Sequence, residues 1–167
     1  VRGAMEFLPT FLVATQGFSF GLASGAFGLM FAVGLAVRPV TGTLGDAFSK
    51  PGIAAVSVLL GGLGIAALVV APSPLLGLAG VVLFGIGQRG FTPPLQAYLM
   101  DSFPDESMGG DFGATRMVYL GIGSFGPAFV GVVADATRFR AAYLVLATVL
   151  LVAAGIVIVL ARPARPS

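Results

Sequence analysis

The sequence predicts an all-α membrane protein, a polytopic bundle of transmembrane helices, and three observations support this fold class. Of 167 residues, 57% are hydrophobic and 10% are charged, which is too few charges to cover a water-soluble domain. The apolar residues form stretches of about 20 residues, the length of helix that crosses about 30 Å of hydrocarbon. Short connections separate these stretches and predict antiparallel neighbours. Soluble βαβ domains also have apolar runs, but theirs are shorter and alternate with polar helices.

The first apolar stretch, Met5 to Ala14, is too short to cross a bilayer. We therefore expect residues 1–14 to form a partial span, the outer half of a helix whose inner half is missing from the chain. Five complete spans should follow within one transmembrane domain that covers residues 1–167. Their approximate limits are 18–42, 53–71, 75–100, 113–134 and 141–161.

The complete spans differ in the residues that bound them and in the polar residues that they contain. The first begins with the apolar stretch from Phe18 to Val37, and the turn Pro72-Ser73-Pro74 separates the second from the third. The third carries polar residues within its length. The apolar part of the fourth, Met117 to Ala134, lies between two charged residues, and the last contains Thr148 as its only serine or threonine.

The composition also excludes several classes of function. The chain has no cysteine and no histidine, which removes disulfides, thiol chemistry, and zinc or haem sites that need those ligands. We therefore predict no catalytic residue, no metal and no cofactor. The charges are scattered at segment ends and form no basic patch of the kind that binds nucleic acid. The lipid bilayer is the predicted surrounding of most of the surface.

Basic residues near the ends of the spans predict the orientation of the chain. Cytoplasmic loops of membrane proteins carry an excess of lysine and arginine. One side should collect Arg38, Lys50, Arg116, Arg162 and Arg165, and the other Arg138 and Arg140. The richer side is expected to be cytoplasmic, together with the C-terminus, and the membrane to be the plasma membrane.

Glycine recurs inside the spans at spacings that favour close helix packing. Gly17, Gly21 and Gly25 lie four residues apart, and Gly61 and Ile65 follow the same spacing more loosely. Small residues at this spacing let helix backbones approach in lipid. We therefore expect close helix contacts above all at the Gly17 series. The fourth complete span is also rich in glycine, at Gly121, Gly123, Gly126 and Gly131.

A distinctive segment, residues 38–52, connects the first two complete spans. Its pattern resembles the cytoplasmic loop signature of the major facilitator superfamily, Gly-x-Leu-x-Asp followed by a basic, glycine-containing turn. The pattern departs from the family at Ala47, where a basic residue is common, and at Ser49, where glycine is common. The matching residues are Gly42, Leu44, Asp46 and Lys50.

This segment is also expected to form a loop on physical grounds. Gly42 and Gly45 would permit a sharp turn at the membrane face. Asp46 would lie near a helix N-terminus, where a carboxylate is favoured. Lys50 would supply the basic side of a cytoplasmic hairpin. An ordinary positive-inside loop is the alternative interpretation.

Two further stretches resemble the same family. Asp101 to Pro104 with Gly109-Gly110 is similar to the loop between its tenth and eleventh helices, and Gly121 to Asp135 with Arg140 and Tyr143 is similar to its eleventh helix and the turn into the twelfth. The resemblance implies half of the family's fold: helices seven to twelve, with seven truncated and an N-terminal half missing. It also implies a small-molecule substrate, transported with protons or sodium as possible coupling ions.

Polar residues inside a membrane span usually face the bundle interior or a watery cavity, because they are costly in lipid. On the span from Leu75, the polar residues recur every three or four positions and are expected on one face. Pro93 and Pro94 follow, and each removes a donor from the helix. Arg89 would lie roughly 21 Å below the outer face. The candidate binding or coupling residues on this span are Gln88, Arg89, Thr92 and Gln96.

A second polar stripe lies on the partial span. Arg2, Glu6 and Thr10 are four residues apart and share one helix face. Arg2 and Glu6 are therefore also candidate binding or coupling residues, and Glu6 is the candidate proton site. Across the cavity, Arg89 could approach Glu6 or a bound anion. The alternatives are a structural ion pair or an arginine that extends toward the interface.

The predicted function is secondary active transport of a small solute by alternating access. A transporter-like sensor or scaffold is an alternative that the sequence leaves open. A channel is disfavoured because no repeated filter or ring of like charges is present. An intramembrane enzyme is also disfavoured, because Ser24, Ser57 and Ser124 have no nearby base in the membrane.

Overall fold

The fold is described from a computed structural model of the chain, which describes residues 2–104, 106–136 and 139–160. In these ranges the regular structure is helical throughout. The predictions that concern Arg138, Arg162 and Arg165, and the end of the last span at residue 161, lie outside the described residues. The helices are α1 (Arg2–Glu6), α2 (Leu8–Gln16), α3 (Phe20–Ala47), α4 (Lys50–Val70), α5 (Pro74–Gly90), α6 (Thr92–Ser102), α7 (Met108–Ala136) and α8 (Phe139–Leu160).

Five helical segments of the described chain are long and apolar enough to cross a membrane. This confirms the predicted fold class, an all-α polytopic bundle. One segment combines α5 and α6, which a break at Phe91 separates. The five segments are Phe20–Ala47, Lys50–Val70, Pro74–Ser102, Met108–Ala134 and Phe139–Val159.

The predicted loop between the first two complete spans is wrong in its extent. Gly42, Gly45 and Asp46 belong to α3, which continues to Ala47, and only Phe48 and Ser49 separate α3 from α4. No glycine is needed at this turn, because neither of the two connecting residues has a positive φ. The Ser49 hydroxyl accepts a hydrogen bond from the Gly52 amide at 3.2 Å and caps α4. Gly109 and Gly110 are likewise helical, in the first turn of α7.

Gly17 ends α2 instead of packing helices together. It has a φ of 68°, the only positive φ among the described residues, and its amide donates to the Leu12 carbonyl. This left-handed conformation is typical of a helix C-cap and is easiest for glycine. The Ser19 hydroxyl then accepts a hydrogen bond from Leu22 N at 3.3 Å and caps α3.

The predicted close packing at the Gly17 series is therefore wrong for the contacts within this chain. A β-carbon added at Gly21 or Gly25 would have no atom within 4 Å. Spacing alone favours a close contact but does not supply the partner helix. Among the described residues, no helix reaches the face of α3 that carries Gly21 and Gly25, whereas α5 reaches α4 at Gly61.

Helix α4 forms the centre of the bundle, and it packs most extensively against α5 and α8. The α4–α5 contact is the closest in the fold because glycines face each other across it. A β-carbon at Gly64 would lie 2.9 Å from the Gly80 carbonyl oxygen, and one at Gly87 would lie 2.5 Å from the Ser57 carbonyl oxygen. Any side chain there would force the two backbones apart.

Side chains from α2 and α8 bind the C-terminal end of α4. The last carbonyl groups of a helix have no partner within it. Gln16 Nε2 donates to the Leu68 carbonyl at 2.6 Å, and an Arg140 amino group donates to the Val69 carbonyl at 2.7 Å. The cation of Arg140 is also favoured at the negative end of the helix dipole. These contacts fix α2 and α8 around the end of α4.

Helix α1 is held by α7 and α8. Gly3 approaches the Gly126 backbone of α7 so closely that a β-carbon at Gly3 would lie 2.5 Å from the Gly126 carbonyl oxygen. On the α8 side, the buried Tyr143 hydroxyl donates to the Ala4 carbonyl at 2.7 Å. The Tyr143 ring also stacks on Phe11 with 4.1 Å between the ring centroids. Helix α1 therefore has a fixed rotation about its axis.

Candidate functional site

Arg89 lies in the last turn of α5, about 22 Å along the helix from its start at Pro74, and touches two other helices. Its aliphatic stem packs against Gly34 of α3. The guanidinium carbon lies 4.5 Å from the centroid of the Phe31 ring, within the range of a cation–π contact. One guanidinium nitrogen lies 4.0 Å from Met5 Sδ on α1. The side chain is half-buried.

The sequence places Arg89 beside a helix break. Helix α5 ends at Gly90, and α6 begins at Thr92. Pro93 and Pro94 cannot donate the amide hydrogen bonds that would satisfy the carbonyl groups of Arg89 and Gly90. Pro94 is buried and packs against α3, where a β-carbon at Gly45 would lie 3.0 Å from its Cβ. The break is thus both encoded by the prolines and fixed by packing.

The stripe of Arg2 and Glu6 lies on an exposed face of α1. Gly3 faces α7, Ala4 contacts Tyr143 of α8, and Met5 contacts Arg89. At about 100° per residue, Arg2 and Glu6 fall between the α7 side and the Arg89 side, and opposite α8. This polar stripe therefore adjoins the side of α1 that contacts Arg89, and we call this side of the bundle, where Arg2, Glu6 and Phe31 are exposed, the open side.

The structure brings Arg89 close to α1 but does not pair it with Glu6. The two side chains form no ion pair within 4.0 Å, and the described ion pairs are both made by Lys50. The α1 residue in contact with Arg89 is Met5. Arg38 lies one helical turn beyond Gly34, on the face of α3 that meets Arg89. An anionic group at this face would be attracted to both cations.

Gln88 has surroundings different from those of Arg89, although the two are neighbours in sequence. Gln88 lines a cavity of about 190 Å³ between α4, α5 and α8, whereas Arg89 contacts α3 and α1. The shared face expected for the two residues is therefore not what the contacts show. Successive residues of a helix differ by about 100° in direction, which is enough to separate them.

Thr92 and Gln96 are half-buried on α6. Neither side chain forms a hydrogen bond with another described residue, so both keep their polar atoms available. Phe31, Gly34 and Met5 were missed by the sequence reasoning, because apolar residues in an apolar helix carry no distinguishing signal. The spacing of Phe31, Gly34 and Arg38 on α3 could have indicated one helix face toward the polar span.

At the junction where α3 ends and α4 begins, Lys50 forms ion pairs with two carboxylates. Lys50 Nζ lies 3.7 Å from an Asp46 carboxylate oxygen, and it also pairs with Asp101 at the end of α6. Gly42 lies beside α6, because a β-carbon there would be 3.9 Å from Pro93 Cβ. Leu44 is partly exposed. Residues of the loop signature therefore join α3, α4 and α6.

Comparison with known proteins agrees with the resemblance seen in the sequence. No solved structure gives a significant match to this chain. Residues 3–167, nearly the whole chain, match the sequence profile described as Major Facilitator Superfamily. Proteins of this superfamily are multi-pass membrane transporters of small molecules and not enzymes. The chain therefore belongs to the Major Facilitator Superfamily.

Proposed function

We propose that this chain forms the C-terminal half of a secondary active transporter, which moves a small solute by alternating access together with an N-terminal half. One observation carries the proposal. Arg89 lies deep in the membrane segment formed by α5 and α6, and no carboxylate of the described residues is paired with it. An arginine at this depth is costly in lipid and is tolerated when it faces a watery cavity or an anionic ligand.

In this proposal each candidate residue has a role in transport that is assigned from its position in the bundle. Arg89 attracts an anionic group of the solute, with Phe31 and Met5 holding its guanidinium in place. Thr92 and Gln96 donate hydrogen bonds to the solute and accept hydrogen bonds from it. Glu6 and Arg2, on the stripe that borders the same open side, carry the coupling to protons or sodium.

The cluster of Lys50, Asp46 and Asp101 would act at the cytoplasmic face of a plasma-membrane protein, with the C-terminus on the same side. Its ion pairs join the ends of three helices. Breaking them would release α6 from the connection between α3 and α4. Such a contact is suited to hold one of the two alternating states.

The test is transport by the full-length protein with Arg89 changed. Arg89→Ala should lower uptake or efflux by roughly 10- to 100-fold, because a hydrogen bond to a charged group is lost. Arg89→Lys, which keeps the charge but loses the fork of donors, should retain part of the rate. Surface expression of both variants is measured in parallel. Unchanged transport kinetics in Arg89→Ala at normal expression would remove Arg89 from the site.

The carrier mechanism is tested separately by counterflow in reconstituted vesicles. Saturable exchange of labelled for unlabelled solute indicates a carrier. Rapid flux that rises linearly with concentration indicates a pore. Normal folding with no flux of any solute would favour the sensor or scaffold alternative, and hydrolysis without transport would favour an enzyme.

A further inference from the structure

Gln88 carries a buried polar atom that the transport proposal does not use. Its side-chain oxygen, Oε1, is buried and accepts no hydrogen bond from any described residue. Among the buried side-chain polar atoms of the described residues, it is the one without a partner. A buried polar group of this kind costs free energy that a donor would recover.

The same residue lines the cavity of about 190 Å³ between α4, α5 and α8. The rest of the lining is apolar, with two phenylalanine rings and small residues that leave the space open. An enclosed, wholly apolar cavity of about 150 Å³ stays dry and binds small aromatic molecules, and this cavity, which is partly open, offers a similar volume. The lining residues are Val58, Gly61, Phe84, Gly87, Gln88, Phe91, Leu150 and Ala153.

Water and lipid headgroups are poor occupants of this cavity. A buried water needs two to four polar partners, whereas the amide of Gln88 is the only polar side chain in the lining. Gln88 also lies about 21 Å along the helix from Pro74, within the roughly 30 Å of hydrocarbon from which charged headgroups are excluded. The occupant must therefore be small, uncharged and soluble in the hydrocarbon.

A hydroxyl group on the occupant would suit the Gln88 amide. The terminal torsion of glutamine is broad, so the amide can turn a polar edge toward the cavity. The oxygen and nitrogen of such an amide are assigned from hydrogen bonds, and here no bond distinguishes them. A hydroxyl both donates and accepts, so it satisfies either orientation of the amide.

We propose that this cavity binds a small, uncharged aromatic alcohol that enters from the bilayer, with Gln88 as its hydrogen-bonding partner. The ring fills the apolar space between Phe84, Phe91 and α8, and the hydroxyl meets the amide. This site lies on the α4–α8 side of α5, away from the Arg89 contacts. It does not depend on the proposed transport function, since it is defined by binding alone.

The experiment uses the full-length protein in detergent and two probes of matched shape, 4-fluorophenol and 4-fluorotoluene, followed by ¹⁹F NMR titration. The first carries a hydroxyl where the second carries a methyl group. In Gln88→Met, which keeps the length of the side chain, the affinity for 4-fluorophenol should fall roughly three- to tenfold, as expected for one neutral hydrogen bond. Affinity for 4-fluorotoluene should be unchanged or higher. Each probe is compared between the wild-type protein and the variant in the same detergent. The partition of the probe into the detergent micelles is therefore the same in both titrations and does not affect the ratio of affinities.

A second variant tests the cavity itself. Ala153→Phe places a ring in the space from α8 and should abolish binding of both probes. Gln88→Leu replaces Gln88→Met if the latter does not give a monodisperse protein. Equal affinity of wild type and the Gln88 variant for 4-fluorophenol would overturn the hydrogen-bonding role. Probe binding that persists in Ala153→Phe, or wild-type protein that binds neither probe, would overturn the site.

Discussion

The two sides of α5 differ in how they meet the rest of the bundle. Toward α4, Gly80 and Gly87 bring the backbones into contact and leave no room for a side chain. Toward α3 and α1, the helix presents Arg89, whose guanidinium lies over Phe31 and beside Met5 and forms no ion pair with a carboxylate in the described part of the chain. One helix therefore combines a close apolar contact, which stabilises the fold, with a polar side that is available to a ligand.

This difference shows that the same residue type can have opposite consequences in one chain. The glycines of the α4–α5 contact hold two helices together, whereas Gly21 and Gly25 of α3 have no neighbouring atoms within 4 Å of an added β-carbon. In lipid, helices associate through packing and hydrogen bonds, not through expulsion of water. A glycine stabilises the bundle only where a second helix reaches it.

The largest expected effect is on the close side of α5. Gly87→Val should destabilise the protein by about 3 kcal/mol or more, because its side chain would collide with the Ser57 carbonyl oxygen and the Gly61 backbone. Gly155→Val on α8 is the matched control, since a β-carbon there meets no atom within 4 Å. Thermal unfolding in detergent measures both. Equal melting temperatures for the two variants would show that the α4–α5 contact is not as close as described.

A smaller effect is expected where α8 fixes α1, the helix that borders the open side. Tyr143→Phe keeps the stacking on Phe11 but removes the hydrogen bond to the Ala4 carbonyl. The loss should be about 1 kcal/mol in the free energy of unfolding. Tyr119→Phe on α7 is the control, because the Tyr119 hydroxyl forms no hydrogen bond with another described residue. If the two variants are equally stable, the hydrogen bond from Tyr143 to the Ala4 carbonyl contributes nothing to the free energy of unfolding.

The smallest effect on stability is expected at Lys50, because its ion pairs are exposed to solvent. Lys50→Met should lower the melting temperature less than Tyr143→Phe does, and the difference from wild type should shrink as salt is added. Arg116→Met is the control, since Arg116 pairs with no carboxylate among the described residues. If Lys50→Met lowers the melting temperature by the same amount at low and high salt, the contact is not an exposed electrostatic one.

Much of the site was within reach of the sequence. The polar residues on the span from Leu75 were visible because ionisable groups are rare in apolar helices, and the break beside Arg89 follows from Pro93 and Pro94. The neighbours of Arg89 were not visible. Phe31, Gly34 and Met5 look like any other apolar residues, and only the crossing of three helices brings them to the guanidinium.

The errors at Gly17 and Gly42 have a common cause. The spacing predicts a packing role for Gly17 and a turn at Gly42, and each role depends on surroundings that spacing does not describe. Gly17 adopts a positive φ and ends a helix, while Gly42 continues one. A conformation or a contact of glycine is decided by the residues that reach it.

The stretches without charge are enough to establish that this protein lies in a lipid bilayer. Such stretches can be stable only in hydrocarbon, and hydrocarbon requires helices, since every backbone group must be satisfied within its own segment. Which side of each helix is covered follows only from the packing of the helices against one another. That packing separates Gln88 from Arg89, so that Gln88 borders an apolar cavity and Arg89 borders the open side, because helix rotation is set by contacts between helices and not by the polarity of a single stretch.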